Sequence, residues 1–452
     1  MFDRNIHIII LIFFAVFLCA LAAMTIAREV LIPHMMPTAT DGHIPGDPYY
    51  YHTIALEKAQ QMHEEGIQTF ELHLKGQGSA GIASLLYFLG GGVYSIVAMN
   101  AFLHGSSCIV MALIINNWFP LRLSLLSTLP LIISPHSIFW FSQINKDSYA
   151  LSGYLLFLFG ILGIIKQNNC FKKQLFYTLA CIVGIFTIWI VRPYVNQILL
   201  PITAFLFLIT IIIFQKNNLA PQKFSVAIGA VFILLSLFFL GRGALSDQTL
   251  ESFNEWQYTL NQPKSIVTEC YKEVDSRNWI DLELLPIFAN NKIKYMMINR
   301  CISFLILNKS KNTTTIDSFI DSNFFPKSSL EAILYIPRAM TIGVLSPWPD
   351  RWLYVFYKER SFFYTIVPLE AALLYIGLVS LCIWLYRRRE YSILIPVALS
   401  ATVMTVYGMS MPFIGALYRY RYPWWMVLIC LGLACLIDNY QSKSKKILEN
   451  KP

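Results

Sequence analysis

The chain has 452 residues, 56% of them hydrophobic, 15% aromatic and 13% charged, with a mean hydropathy of +0.54. Soluble globular chains carry roughly 25% charged residues, so this composition excludes an ordinary water-soluble protein as well as a disordered or disulfide-scaffolded one. The formal charge is nonetheless +9, from 35 Lys and Arg against 26 Asp and Glu, and where those charges sit decides what they mean.

A spanning helix needs about 20 apolar residues. Ten runs approach that length, at 6–27, 93–115, 124–142, 148–165, 174–191, 194–214, 224–241, 362–386, 391–411 and 424–437. The first is longer than a signal-peptide core and reads as a retained anchor. Placing both termini in the cytoplasm puts fourteen basic residues in the inner segments: Arg4, Arg122, Lys166, Lys172, Lys173, Lys216, Lys223, Arg387, Arg388, Arg389, Lys443, Lys445, Lys446 and Lys451. Only Asp3, Glu390, Asp438 and Glu449 oppose them, for a net of +10, and the rest of the chain holds 21 basic and 22 acidic residues, a net of −1. The whole positive excess lies on one side, as the positive-inside rule requires. It reports orientation and not a nucleic-acid partner. The expected fold is an all-α polytopic membrane protein with about ten transmembrane helices, both termini cytoplasmic and two large outer loops, residues 28–92 and 242–361.

Along the chain this divides into a core at 1–241 that includes the first outer loop, a large outer region at 242–361, and C-terminal spans with a basic tail at 362–452. The apolar pieces Met296–Leu307 and Tyr335–Pro349 of the outer region are too short to span and are expected at the interface or packed within the loop. Most of the nine cysteines fall in the spans as small hydrophobes. Cys270 and Cys301 lie in the outer loop, where an oxidising compartment allows them to pair.

There is no Walker A sequence, no GxGxxG following a strand, no HExxH and no CxxC, which argues against an ATP-driven pump, a dinucleotide enzyme and a zinc protease. Candidate chemistry therefore rests on polar groups at the outer face. In Asp41-Gly-His-Ile-Pro-Gly-Asp47-Pro-Tyr-Tyr-Tyr-His52, glycine and proline break the chain and a helix starts near Tyr49. Asp47 either caps that helix or acts at the membrane surface, with His52 one turn further on. Asp147, in Lys146-Asp147-Ser148 between the third and fourth runs, is likewise a helix cap or a second acid on the same side. Lys146 either snorkels or meets an anionic headgroup.

Arginines on the outer side run against the charge rule. Arg192 follows the fifth run, Arg338 lies in Tyr335-Ile-Pro-Arg338, Arg351 follows Pro347-Trp-Pro-Asp350, and Arg419 and Arg421 alternate with tyrosine in 418–422. Guanidinium binds phosphate oxygens bidentately and stacks on aromatic rings. Glu370 and His104 fall within spans, where an ionisable group is either a functional candidate or a hydrogen-bonded packing residue.

The pattern of a first span, an outer-loop acid before a Tyr-rich helix (Asp47-Pro-Tyr-Tyr-Tyr, then Ala55, Ala59 and Gly66), and Leu85-Leu-Tyr-Phe-Leu-Gly90 leading into the second span resembles the GT-C membrane glycosyltransferases. The likeness is to their protein-mannosyltransferase and lipid A aminoarabinose-transferase branch, and it covers residues 1–165 best. One departure is that Leu74-Lys-Gly-Gln-Gly78 stands where that branch commonly has His-Pro-Pro. The resemblance implies a bacterial inner-membrane enzyme that moves a sugar from a polyprenyl-phosphate-linked donor to a lipid, glycan or protein acceptor. It implies Asp47 as catalytic base or metal ligand and Asp147 as a second acid, the pair able to share a divalent cation such as Mg or Mn. Lys146, Arg192, Arg338, Arg419, Arg421, His52 and Glu370 are then candidates for substrate binding. Two other readings stand beside it: an O-antigen-type polymerase or ligase, and a lipid-linked glycan transporter, which usually shows repeats that this chain lacks.

Overall fold

A computed structural model describes residues 2–35, 38–39, 42–166, 171–216, 220–241, 270, 279–310, 319–321, 324, 326–350, 352 and 362–449. Arg351 lies outside the described residues. Each of the ten apolar runs becomes helical. The helices are α1 (Phe2–Ile26, extended through a π-helical stretch and a last turn to Met35), α2 (Asp47–Glu65), α3 (Gly78–Phe88), α4 (Gly92–Ile115), α5 (Leu121–Ser127), α6 (Leu129–Ile133), α7 (Pro135–Phe141), α8 (Asp147–Lys166), α9 (Phe171–Val191), α10 (Pro193–Lys216), α11 (Ala220–Gly241), α12 (Ile287–Ser310), α13 (Ser329–Leu334), α14 (Ile336–Leu345), α15 (Phe362–Arg388), α16 (Leu394–Ser410) and α17 (Ile414–Glu449). Among the described residues eight helices are long and apolar enough to cross a membrane, or nine if a bent pair counts as one span. The protein is an all-helical, multi-pass membrane protein.

Two runs differ from the expected rods for local reasons. The run 124–142 is not one helix: α5–α6 and α7 meet at 54°. Ser134 precedes Pro135, whose ring disfavours the helical region for the residue before it, and Ser134 accordingly takes ψ 116°. The last run extends the other way, since α17 begins at Ile414 and not near 424. Hydropathy ends the span at Arg419 and Arg421, but both side chains find partners inside the protein, so the helix continues through them.

Packing is closest where side chains are smallest, as in membrane bundles generally. On α8 and α9, a Cβ on Gly184 would come 2.5 Å from the Gly153 carbonyl oxygen. On α15 and α17, a Cβ on Gly432 would come 2.4 Å from Gly377 Cα. A central core runs through α4, α8 and α17 and includes Tyr154, Phe157, Trp424 and Trp425, all buried.

At one end of the bundle Lys166 donates to the Asn117 carbonyl at 3.2 Å, Trp118 donates to Ser392 at 2.8 Å, and Arg388 pairs with Asp438 at 3.0 Å. These residues all belong to, or border, the segments read as inner. The groups read as outer meet at the opposite end, described below.

The helix α14, expected at the interface or packed within the loop, lies along the outer half of α16. A Cβ on Gly408 would come 2.1 Å from the Ala339 carbonyl, and one on Gly343 would come 2.0 Å from that of Met404. As α14 proceeds it therefore runs down α16, away from the outer end. Its terminal carbonyls are met by Arg421, Trp425 and Tyr375. A short helix ending at that depth needs such partners, because its last carbonyls have none within the helix. Cys270 and Cys301 form a disulfide, which ties this outer region to α12.

Candidate functional site

Four separate stretches of chain converge at the outer end. The first is the turn before α2. Gly46 takes φ 105°, a left-handed value that glycine adopts without steric cost, and α2 starts at Asp47 with Pro48 in its first turn. Gly46 and not Asp47 is the N-cap residue; the Asp47 side chain turns to Arg419 of α17, whose Nη1 donates to Oδ2 at 3.0 Å.

The second stretch is 142–147, between α7 and α8. Asn100 of α4 fixes it by donating to the carbonyls of Phe141 and Gln143 at 2.8 and 3.0 Å and accepting from Ser148 at 2.7 Å. Gln143 in turn accepts from His43 Nδ1 at 3.1 Å and from the Ile44 amide at 3.3 Å, so the two acid-bearing loops are laced together. Asp147, with its side chain 1% exposed, accepts from Arg192 at the α9–α10 junction and from Arg419 Nε at 2.6 Å.

Arg419 is fully engaged. Its third nitrogen donates to Asn145 at 2.6 Å, and the guanidinium lies over Trp140, 4.8 Å from the ring centroid. Arg192 also donates to the Tyr420 carbonyl at 3.1 Å and stacks on the Tyr420 ring at 4.6 Å. Burial works against the charge of Arg192, but the adjoining Asp147 carboxylate outweighs it and holds its proton more tightly than in water.

Lys146 stands beside this network. Its ammonium is 5.5 Å from the centre of the Tyr51 ring. Burial pushes it down to about 8, with Arg192 and Arg419 acting in the same direction and Asp47 and Asp147 opposing. Counting Lys146, Arg192 and Arg419 against Asp47 and Asp147, the cluster carries one net positive charge when all five are ionised. It sits at the edge of the spanning region, with the Asp47 side chain 26% exposed.

The other candidates belong to different networks. Arg421, two residues from Arg419, faces the opposite way and donates to the carbonyls of Ile342 and Gly343 at 3.3 and 2.9 Å and to that of Ser346. It serves the end of α14 and not the outer cluster. Arg338 forms a two-pronged pair with Asp321 at 3.0 and 3.1 Å and lies over Trp348. His52 shares a hydrogen bond with Tyr87 at 2.8 Å and stacks on His43 at 4.2 Å; burial, followed by the charge of Arg28, pushes the His43 imidazole down to about 3. Glu370 bridges Ser134, at the break before α7, and Tyr418 of α17. His104 is buried on α4.

Gly76-Gln-Gly-Ser-Ala-Gly81 matches GxGxxG at the start of α3, yet its glycines serve packing: a Cβ on Gly78 would come 1.8 Å from the Ile190 carbonyl, and one on Gly81 1.9 Å from that of Leu72. No strand precedes it, and the dinucleotide reading requires one.

A divalent cation shared by Asp47 and Asp147 does not fit this arrangement, because the Arg419 guanidinium occupies the position between the carboxylates. Among the described residues no group of three or more His, Cys, Asp and Glu gathers elsewhere.

Asn100, Gln143, Asn145 and Tyr420 are the site residues that sequence reasoning missed. The signal for two of them, Gln143 and Asn145, was the polar run Ser142–Ser148 between two apolar segments. No family model matches this chain, and no curated protein is significantly similar to it.

Proposed function

We propose that the protein is a glycosyltransferase of a bacterial inner membrane, with both termini cytoplasmic, of the GT-C kind that its first 165 residues resemble. It would transfer a sugar from a polyprenyl-phosphate-linked donor to a lipid, glycan or protein acceptor at the outer face. The observation that carries this reading is the convergence of Asp47, Lys146, Asp147, Arg192 and Arg419 at the outer edge of the spans.

Each group has a physical role in that reaction. Breaking a sugar–phosphate bond leaves charge on the phosphate oxygens, and preorganised cations in a partly dehydrated site stabilise it. Arg192 and Arg419 are held for that purpose by Asp147, which keeps two guanidiniums side by side despite their repulsion. The one net positive charge of the cluster complements an anionic lipid phosphate. Asp47, partly open to solvent, adjoins the acceptor and sets the orientation of Arg419. Replacing Asp47 by Asn and assaying glycan product in membranes tests the proposal. Product should fall at least tenfold at unchanged protein level, and full activity would overturn it.

A further inference from the structure

We propose that Lys146 is the group that takes the proton from the acceptor hydroxyl, and that neither carboxylate does. The inference rests on the glycosyltransferase reading and deepens it. A general base needs a free lone pair and an affinity for protons near that of its surroundings. Both carboxylates of the cluster are bound to guanidinium: Asp147 to two arginines and Asp47 to Arg419. Both oxygens of Asp147 are taken up by these arginines, and the Asp47 carboxylate is held against the guanidinium it orients.

Lys146 is placed differently. It is half-buried, and among the described residues its ammonium has neither a hydrogen bond nor an ion pair, its contact being the face of Tyr51. The charged groups around it come from every neighbouring element: Asp47 on α2, Asp147 next to it in the chain, Arg192 at the α9–α10 junction and Arg419 on α17. Two guanidiniums and partial dehydration disfavour a third cation among them, which puts a neutral amine within reach near neutral pH.

The step balances without another reagent. The Nζ lone pair takes the acceptor O–H proton. The acceptor oxygen forms a bond to the anomeric carbon while that carbon's bond to the donor phosphate oxygen breaks. The electron pair leaves with the lipid phosphate beside Arg192 and Arg419, and Lys146 ends as an ammonium that returns its proton to water.

Two measurements on the full-length protein in detergent test this. Reductive 13C-methylation followed by NMR titration, with Lys146→Arg as the blank for assignment, should place Lys146 near 8. In the transfer assay the pH profile of wild-type kcat/KM should rise and level off near the same pH. Lys146→Arg, which keeps the charge and cannot act as a base, should lose roughly 10²–10⁴-fold and the alkaline rise with it. Lys146→Ala, folded as judged by monodispersity, should regain activity with added methylamine in proportion to the neutral amine. An ordinary lysine titration near 10.5, or a Lys146→Arg enzyme with wild-type rate and profile, would overturn the role of Lys146. The Asp47→Asn result bears separately on the glycosyltransferase reading, so the two failures are distinguishable.

Discussion

Replacing Asp147 by Asn keeps the side-chain shape and removes one charge from a site where that charge is 1% exposed. In wild type one oxygen accepts from Arg192 and the other from Arg419. The amide would turn two N–H donors toward a guanidinium and leave Arg192, 3% exposed, with the Tyr420 carbonyl as its remaining acceptor. At an effective dielectric of about 20, two unit charges about 4 Å apart attract by about 4 kcal/mol. Removing one partner of a buried pair costs about 3–5 kcal/mol, largely because the other charge stays buried. That corresponds to roughly 10²–10⁴ in the unfolding constant at 1.4 kcal/mol per decade. Asp47→Asn should cost much less, within the 1 kcal/mol or so typical of exposed pairs, since Asp47 is 26% exposed and holds a single arginine. The assay is unfolding of the purified protein in mixed micelles with increasing dodecyl sulfate. A cycle with Arg192→Gln should return a coupling of about 1–3 kcal/mol. Equal costs for the two aspartates, or a coupling below about 0.5 kcal/mol, would refute the idea that Asp147 is the electrostatic keystone of the cluster.

Two further outcomes follow from other contacts. Gly343→Leu places a side chain where a Cβ already comes 2.0 Å from the Met404 carbonyl; separation of α14 from α16 should cost at least 1–3 kcal/mol and appear as faster proteolysis of residues 336–350. The carboxyl of Asp321 is held below its ordinary value of 3.8 by its hydrogen bonds to Arg338, then to Tyr335, against partial burial. The pair's contribution should thus be present at neutral pH and lost on acidification below that ordinary value, read as rising amide exchange of residues 319–321 that is absent in Asp321→Asn.

Hydropathy located the apolar helices because a lipid-facing helix must be apolar over most of its length, and among the described residues eight or nine of the ten runs are long enough to span. It could not register the break at Ser134-Pro135, which is local stereochemistry inside an apolar run, nor the continuation of α17 through Arg419 and Arg421, which depends on distant partners. The site was legible in the same uneven way. Asp47, Lys146, Asp147, Arg192 and Arg419 stood out as ionisable groups at the outer ends of spans, and they meet. Arg421 satisfied the same criterion, yet two residues along a helix point about 200° apart. One side chain therefore meets carboxylates and the other meets carbonyls. Sequence position alone does not tell a guanidinium facing an open site from one that closes a helix end.

The placement of α14 also imposes an order on biosynthesis. The helix emerges from the ribosome before the three helices that take up its packing face and its carbonyl end: α15 supplies Tyr375, α16 the groove at Met404, and α17 Arg421 and Trp425. Ser346 and Arg421 are 75 residues apart. At ~5–20 residues per second the carbonyl end of α14 waits roughly 4–15 s for its cap. Until then the segment belongs at the membrane surface, where its sequence alone would put it, and it can descend only when the last span arrives. The C-terminal helix thus completes a structure that began to form three helices earlier, and a chain that stops short of Arg421 would strand α14 outside the bundle.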